Sequence, residues 1–204
     1  MTELRVERLD EKHIRISGLT AMLAAMLREM PEILELRDGP DASARLFPDP
    51  TAIDDKINRE WQQMTTPELR HLFVSAAETV TRDLILLAGS KGAPEAYEVT
   101  FPVEQLTAWM SALNQTRLIL AEVHKIDEAD MERRDFDPQN PKHLAVLRIQ
   151  LLGYLLHLFV ELENGDESTD RICRPGHQIR DGGPGAREVG PPSADGRKGR
   201  QTKP

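Results

Sequence analysis

Asn114 and Arg117 are the residues whose type and spacing best suggest a binding site. They lie three residues apart in an apolar helical pattern, where Arg117 replaces an apolar residue on the face that carries Trp109. Desolvating an unpaired amide or guanidinium costs several kcal/mol, so the fold must supply partners for both groups. The pattern predicts binding residues at Trp109, Asn114 and Arg117 and no catalytic residue.

Two interpretations of Arg117 stay open. In the first, the guanidinium is buried and structural, and it pairs with a carboxylate from another helix, for which Asp54 and Asp55 are candidates. In the second, Arg117 belongs to a notch lined by Trp109 that recognises an anion or a peptide. The first is favoured because forked guanidinium donors are the usual choice for buried pairs.

The histidines and the single cysteine show no metal-binding pattern. His124 and His157 lie near the apolar faces of different predicted helices, where structural roles are favoured over a shared metal site. Cys173 and His177 are four residues apart, without the second ligand pair that a structural zinc needs. We predict no metal and no cofactor.

No motif for an enzyme is present. The sequence has no G-x-S-x-G element and no H-E-x-x-H pattern, and its Gly-Gly-Pro-Gly segment at 182–185 neither follows a strand nor opens a helix. The acidic clusters are typical of solvated surface. These absences make an enzyme the less favoured class without excluding it.

Composition restricts the compartment and the partners. The chain has 204 residues, 39% hydrophobic content, one cysteine and a net charge of -8. An acidic balance disfavours nucleic acid and anionic membranes. The longest apolar run, Leu144–Leu162, is interrupted by charged and polar residues, so it predicts a core helix, not a membrane span. No signal-peptide pattern is visible at the N-terminus, and we predict a cytoplasmic protein.

The elements that must position these residues are mainly helical. Period-2 alternation predicts a hairpin at 4–8 and 13–17 and a third strand at 97–101. Helical periodicity predicts five or so helices, with long ones at about 67–88, 102–125 and 141–163. The chain is therefore expected to be a mainly α, nearly all-α helical bundle with a small N-terminal antiparallel sheet.

The composition changes after Gly165. Residues 166–204 contain seven glycines and five prolines with almost no apolar periodicity. Such a segment cannot bury enough surface to offset its ordering entropy. We predict one domain over 1–165 and a disordered tail over 166–204.

Several segments resemble an uncharacterised family, domain of unknown function 2017. They are Ala44-Arg45-Leu46-Phe47-Pro48 followed by Asp54-Asp55, and Ala108-Trp109 leading through Ala112-Leu113-Asn114 to Arg117-Leu118. The resemblance covers about residues 4–163 and implies a helical protein of bacterial, actinobacterial origin. It also implies genes near that of a Clp-protease adaptor, but no established activity.

Three functional hypotheses follow. The first is a non-catalytic, adaptor-like interaction or regulatory protein with a protein partner. The second is a transcription regulator, although the helix pair at 51–64 and 67–88 carries more carboxylates than basic residues. The third is an enzyme with a site between helices near Trp109, Asn114 and Arg117.

Overall fold

The computed structural model describes residues 3–91, 93–133 and 135–172. In these ranges the chain forms four strands, seven α-helices and two short 3-10 turns. The elements are β1 (Arg5–Arg8), β2 (His13–Leu19), α1 (Ala21–Glu35), α2 (Pro40–Leu46), α3 (Asp55–Met64), α4 (Thr66–Leu84), β3 (Ala88–Ser90), β4 (Ala93–Pro102), α5 (Leu106–Val123), α6 (Glu128–Glu132) and α7 (Pro141–Ile172).

The strands form one antiparallel sheet in the order β1-β2-β4-β3. Ile14 pairs with Phe101 and Ile16 with Val99, and all four side chains are buried. This is the alternation of a strand with one face on the core. The predicted hairpin and its pairing with the third strand are confirmed. β3 was missed, because its Ala-Gly-Ser sequence follows a helix and carries no alternation.

α5 lies at the centre of the helical layer. It packs against α1, α2, α4 and α7, while the sheet contributes Phe101 to the same core. Trp109, Leu113, Leu152 and Phe159 are fully buried there. The mainly α fold class is confirmed, but the term all-α is wrong because the four-stranded sheet supplies one wall of the core.

Local predictions at three helix ends differ from the structure. Thr65 and Glu68 have the sequence spacing of a capping box, but Thr65 has a helical conformation and its side chain does not cap α4. The charged segment after Ile126, predicted as a loop, contains α6, which has a capping box made by Asp127 and Asp130. α7 continues to Ile172, beyond the predicted end at Glu163. The rest of the predicted tail, residues 173–204, lies outside the described residues.

Part of α7, Pro141–Gly165, is long and apolar enough to cross a membrane by length and composition alone. Core helices of soluble proteins pass the same test. In this fold Leu152, Leu155 and Phe159 on α7 are fully buried, and α7 packs against α5 and β1. The apolar content of α7 is accounted for in part by this packing.

Candidate functional site

Trp109 lies in the core and makes a buried polar contact. Its indole Nε1 donates to Asp83 Oδ2 at 2.9 Å, and its ring stacks on Phe101 with centroids 4.7 Å apart. The amide of Gln105, oriented with its nitrogen toward the carboxylate, donates to both Asp83 oxygens at 2.6 and 2.9 Å. Trp109 therefore anchors a carboxylate inside the protein and does not line a notch beside Arg117.

Burial sets the protonation behaviour of Asp83. The side chain is 6% exposed, and removal from water raises the pKa of its carboxyl above the ordinary value of 3.8. The hydrogen bond from Trp109 and the charge of Arg82 act in the opposite direction. The hydrogen bonds from Trp109 and Gln105 therefore offset part of the cost of burying the charged form of Asp83.

Asn114 and Arg117 lie on the outer side of α5, not on its buried face. Asn114 is exposed and Arg117 is half-buried. Nε of Arg117 donates to the carbonyl oxygen of Ile149 at 3.3 Å, and the guanidinium rests against α7 at Gly153. An added Cβ at Gly153 would lie 3.3 Å from Arg117 Cζ. The glycine therefore leaves the space that the guanidinium occupies.

The predicted ion pair between Arg117 and Asp54 or Asp55 is not formed. Asp54 caps α3 by accepting from the backbone N–H groups of Lys56 and Ile57, and Asp55 is exposed. α3 packs on α4, whereas the neighbours of α5 are α1, α2, α4 and α7. The tertiary structure decides which helix lies beside Arg117. The periodicity of α5 alone does not predict its neighbouring helices.

A cavity of about 460 Å³ brings Arg45 together with Asn114 and Arg117. Arg45 comes from the last turn of α2 and the other two from successive turns of α5. The carboxylates Asp127 and Glu128 stand at the rim. The remaining wall is largely apolar, with Leu118, Ala121, Ile126, Met131 and Ile149. We call this space the Arg45–Arg117 cavity.

Sequence reasoning missed the polar groups that are truly buried in α5. Gln115 and Thr116 are 1% and 0% exposed. Thr116 Oγ1 donates to the carbonyl oxygen of Ala112 at 2.8 Å, and Gln115 Nε2 donates to Ser111 at 3.0 Å. Other elements pack against α5 on several sides, so more of its surface is buried than a single apolar face. Ala112 and Leu120 lie four residues before and after Thr116, and this apolar helical spacing was the available signal.

Two other functional residues had weaker signals. Asp83 lies three residues after Val80 and seven after Ala76, so helical spacing places it on the buried face of α4. Arg45 stands in a turn-rich segment, and nothing in its spacing relates it to Arg117.

A second surface stands out on α3, where no residue is buried. Ile53, just before the helix, is 94% exposed, while Ile57 and Met64 are 49% and 75% exposed. Polar side chains of the helix contact the segment just before it, while Trp61, on the same face as Ile57 and Met64, is half-buried. Asn58 Nδ2 donates to the carbonyl oxygen of Thr51 at 2.9 Å, and Gln62 Nε2 donates to Asp49 at 3.0 Å. We call Ile53, Ile57 and Met64 the α3 apolar edge.

The histidines and the cysteine that were considered as metal ligands are placed as follows. Among the described residues no three His, Cys, Asp or Glu side chains come together as a metal site. His124 ends α5, where burial and then the charge of Arg148 lower its pKa. His157 pairs with Glu161 on α7 at 3.2 Å. Cys173 and His177 lie outside the described residues.

The chain was compared with known families, curated proteins and solved structures. A family model described as a domain of unknown function, DUF2017, matches residues 7–162. This is more than half of the chain, so the chain belongs to this family. No curated protein and no solved structure matches it.

Proposed function

We propose that this member of the DUF2017 family is a non-catalytic, adaptor-like interaction protein whose α3 apolar edge docks a partner protein. One observation carries the proposal: no residue of this amphipathic helix is buried, and its apolar face exposes isoleucine and methionine beside the half-buried Trp61. Surface helices normally place the apolar stripe on the core. A contiguous exposed apolar surface marks an interaction site.

Charge favours one kind of partner. Residues 1–165 contain 18 basic and 28 acidic residues, which is a net charge of -10. A second copy of the chain would bring the same negative charge against itself, whereas a basic protein is attracted. We therefore propose a partner that presents an apolar helix or strand bordered by lysine or arginine.

We also propose that this docking takes place in the cytoplasm of an actinobacterium. The single cysteine and the acidic composition support the compartment, and the family resemblance supports the source. The implied gene neighbourhood of a protease adaptor fits a regulatory role. An adaptor needs a docking surface and no reacting groups, in line with the missing catalytic motifs.

The test is affinity capture from the native host with matched surface variants. The baits are the full chain, a chain ending at residue 165, the double variant Ile57→Lys/Met64→Lys, and Ile85→Lys. Ile85 is 80% exposed and lies beyond the end of α4, away from the α3 sequence, so it is the matched control. The proposal expects a basic protein that the full chain and Ile85→Lys capture, that the double variant loses, and that added salt weakens.

Three results would contradict the proposal. One is the same captured proteins with the double variant as with the wild type. Another is no reproducible partner for either length of chain. The third is a dimer in sedimentation equilibrium that dissociates in the double variant, which would make a second copy the occupant of the α3 apolar edge.

A further inference from the structure

We propose that the Arg45–Arg117 cavity binds a small monocarboxylate with a short hydrocarbon chain. The carboxylate would lie between the two guanidinium groups, and its chain would lie on the apolar wall. This site is separate from the α3 apolar edge, so the inference goes beyond the proposed docking function and does not depend on it.

The first observation is that both guanidinium groups lack an acidic partner. Within the described part of the chain, no carboxylate lies at ion-pair distance from Arg45 or Arg117. Some other arginines are paired, such as Arg15, which lies 2.6 Å from Glu7, and Arg148, which lies 2.7 Å from Glu29. Two guanidinium groups that line one cavity without a direct carboxylate contact keep donors free for a bound anion, although Asp127 and Glu128 line the same cavity.

The second observation is that Arg117 is held in place. Its Nε donates to the carbonyl oxygen of Ile149, and Gly153 gives the guanidinium room against α7. This leaves the terminal Nη groups as donors. Asn114 lies one turn before it and adds an exposed amide at the same cavity. A planar guanidinium that is already oriented loses less entropy when it binds a carboxylate in a forked geometry.

The third observation selects the charge and shape of the ligand. Asp127 and Glu128 lie at the rim, and Asp127 is occupied in capping α6. These two charges oppose a doubly charged phosphate more than a singly charged carboxylate. The wall of Leu118, Ile126 and Met131 offers apolar contact to a hydrocarbon chain. A volume of about 460 Å³ is ample for a ligand of this size.

The experiment is a titration of the full chain, labelled with ¹⁵N, with hexanoate as the probe. Saturable shifts are expected at the backbone amides around the cavity and at the Nε–H of Arg117. Acetate is expected to bind at least about 10-fold more weakly, because each buried CH₂ contributes about 0.8 kcal/mol. Inorganic phosphate is expected to bind more weakly than hexanoate.

Variants tie the binding to the two guanidinium groups. Arg45→Gln and Arg117→Gln should each weaken hexanoate about 10-fold or more, as expected for loss of a charged hydrogen bond. Arg59→Gln on α3 is the matched control, since Arg59 is exposed and does not line the cavity, and it should bind like the wild type. If Arg117→Gln fails to fold, Arg45→Gln decides, because the exposed Arg45 supports no packing.

Several results would overturn the inference. They are the absence of saturable shifts at the cavity, equal binding of acetate and hexanoate, tighter binding of phosphate, or unchanged affinity in Arg45→Gln. None of these bears on the α3 apolar edge. Failure of the ligand site and failure of the docking proposal can therefore be told apart.

Discussion

Trp109→Phe tests the buried contact between Trp109 and Asp83. The substitution keeps an aromatic ring beside Phe101 and Phe159 but removes the indole N–H that donates to Asp83 at 2.9 Å. We expect the variant to fold and to be less stable at neutral pH. The loss should become smaller as the pH falls.

The magnitude follows from the burial of the two groups. A hydrogen bond to a charged acceptor contributes about 1.5–3 kcal/mol. The smaller ring leaves unfilled volume that costs about 1 kcal/mol at ~24 cal/mol per Å³. The free energy of unfolding at about pH 7 should therefore fall by about 3 kcal/mol, which is a decrease in Tm of roughly 6–12 °C for a chain of this size.

The pH dependence has a definite sign. Burial raises the pKa of folded Asp83 above its ordinary value of 3.8, and the Trp109 bond opposes that rise. A group with a raised folded pKa destabilises the fold as the pH rises through that pKa. Without Trp109 Nε1 the pKa rises further, so the extra loss is largest near pH 7. It should shrink by about 1–2 kcal/mol at an acidic pH below the raised pKa, where the protonated acid forms only an ordinary hydrogen bond.

The assay is urea unfolding followed by far-UV circular dichroism at both pH values. Phe159→Leu is the control, because it truncates a fully buried ring 6.2 Å from Trp109 without touching Asp83. Its cost should be the same at both pH values. Asp83→Asn keeps an acceptor for Trp109 and should abolish the pH-dependent part. A Trp109→Phe loss that is equal at the two pH values would refute the reasoning.

Three further predictions concern other contacts. Gly153→Ala should stabilise α7 by about 0.5–1 kcal/mol through helix propensity, while its Cβ displaces the Arg117 guanidinium and weakens hexanoate binding. Lys142→Met should lower Tm at neutral pH, because the backbone N–H of Asp127 and then Lys142, 2.6 Å away, hold the pKa of Asp130 below 3.8. This gap should close as the pH falls through that depressed pKa. Gly18→Ala should cost about 2 kcal/mol or more, since Gly18 has φ 73° and its Cβ would meet a backbone carbonyl.

Each of these predictions has a control and a contrary result. Gly89→Ala meets no atom within 4 Å and should change Tm little, so equal losses at both glycines would contradict the strain argument. Lys56→Met removes an exposed pair with Glu60 at 3.8 Å and should show no pH-dependent change in Tm. For Gly153→Ala, unchanged hexanoate affinity would show that the position of Arg117 does not matter for the ligand.

Much of the fold was predictable because its signals are local. Alternation in β1, β2 and β4 depends on neighbouring residues that face one core, and the same holds for the periodic apolar faces of α4 and α7. The pairing of β2 with β4 followed from the same patterns, whereas α4 ends at Leu84, before the predicted end at 88. β3 has only three residues and no such pattern. It is a strand because it pairs with β4, which the local sequence does not predict.

The candidate site was predictable only in part. Asn114 and Arg117, which the sequence singled out on α5, both line one cavity, and their role in binding stays a prediction. The burial of these two residues was predicted wrongly. The apolar positions of α5 cover more than one face, so the sequence did not show which side of the helix faces solvent. Trp109 belongs to the core with Asp83, and Arg45 replaces Asp54 and Asp55 as the charged residue brought near Arg117.

The sequence by itself determined most of the strands and helices and the mainly α fold class, because these depend on local spacing and composition, but it did not predict β3 or α6. Only the tertiary structure decided which side chains meet. The packing of α2, α5 and α7 brings Arg45 and Arg117 to one cavity, and the placement of α3 leaves Ile57 and Met64 exposed. Helix periodicity predicts that a helix has an apolar face. Whether that face is buried depends on how all the other apolar surfaces of the protein pack.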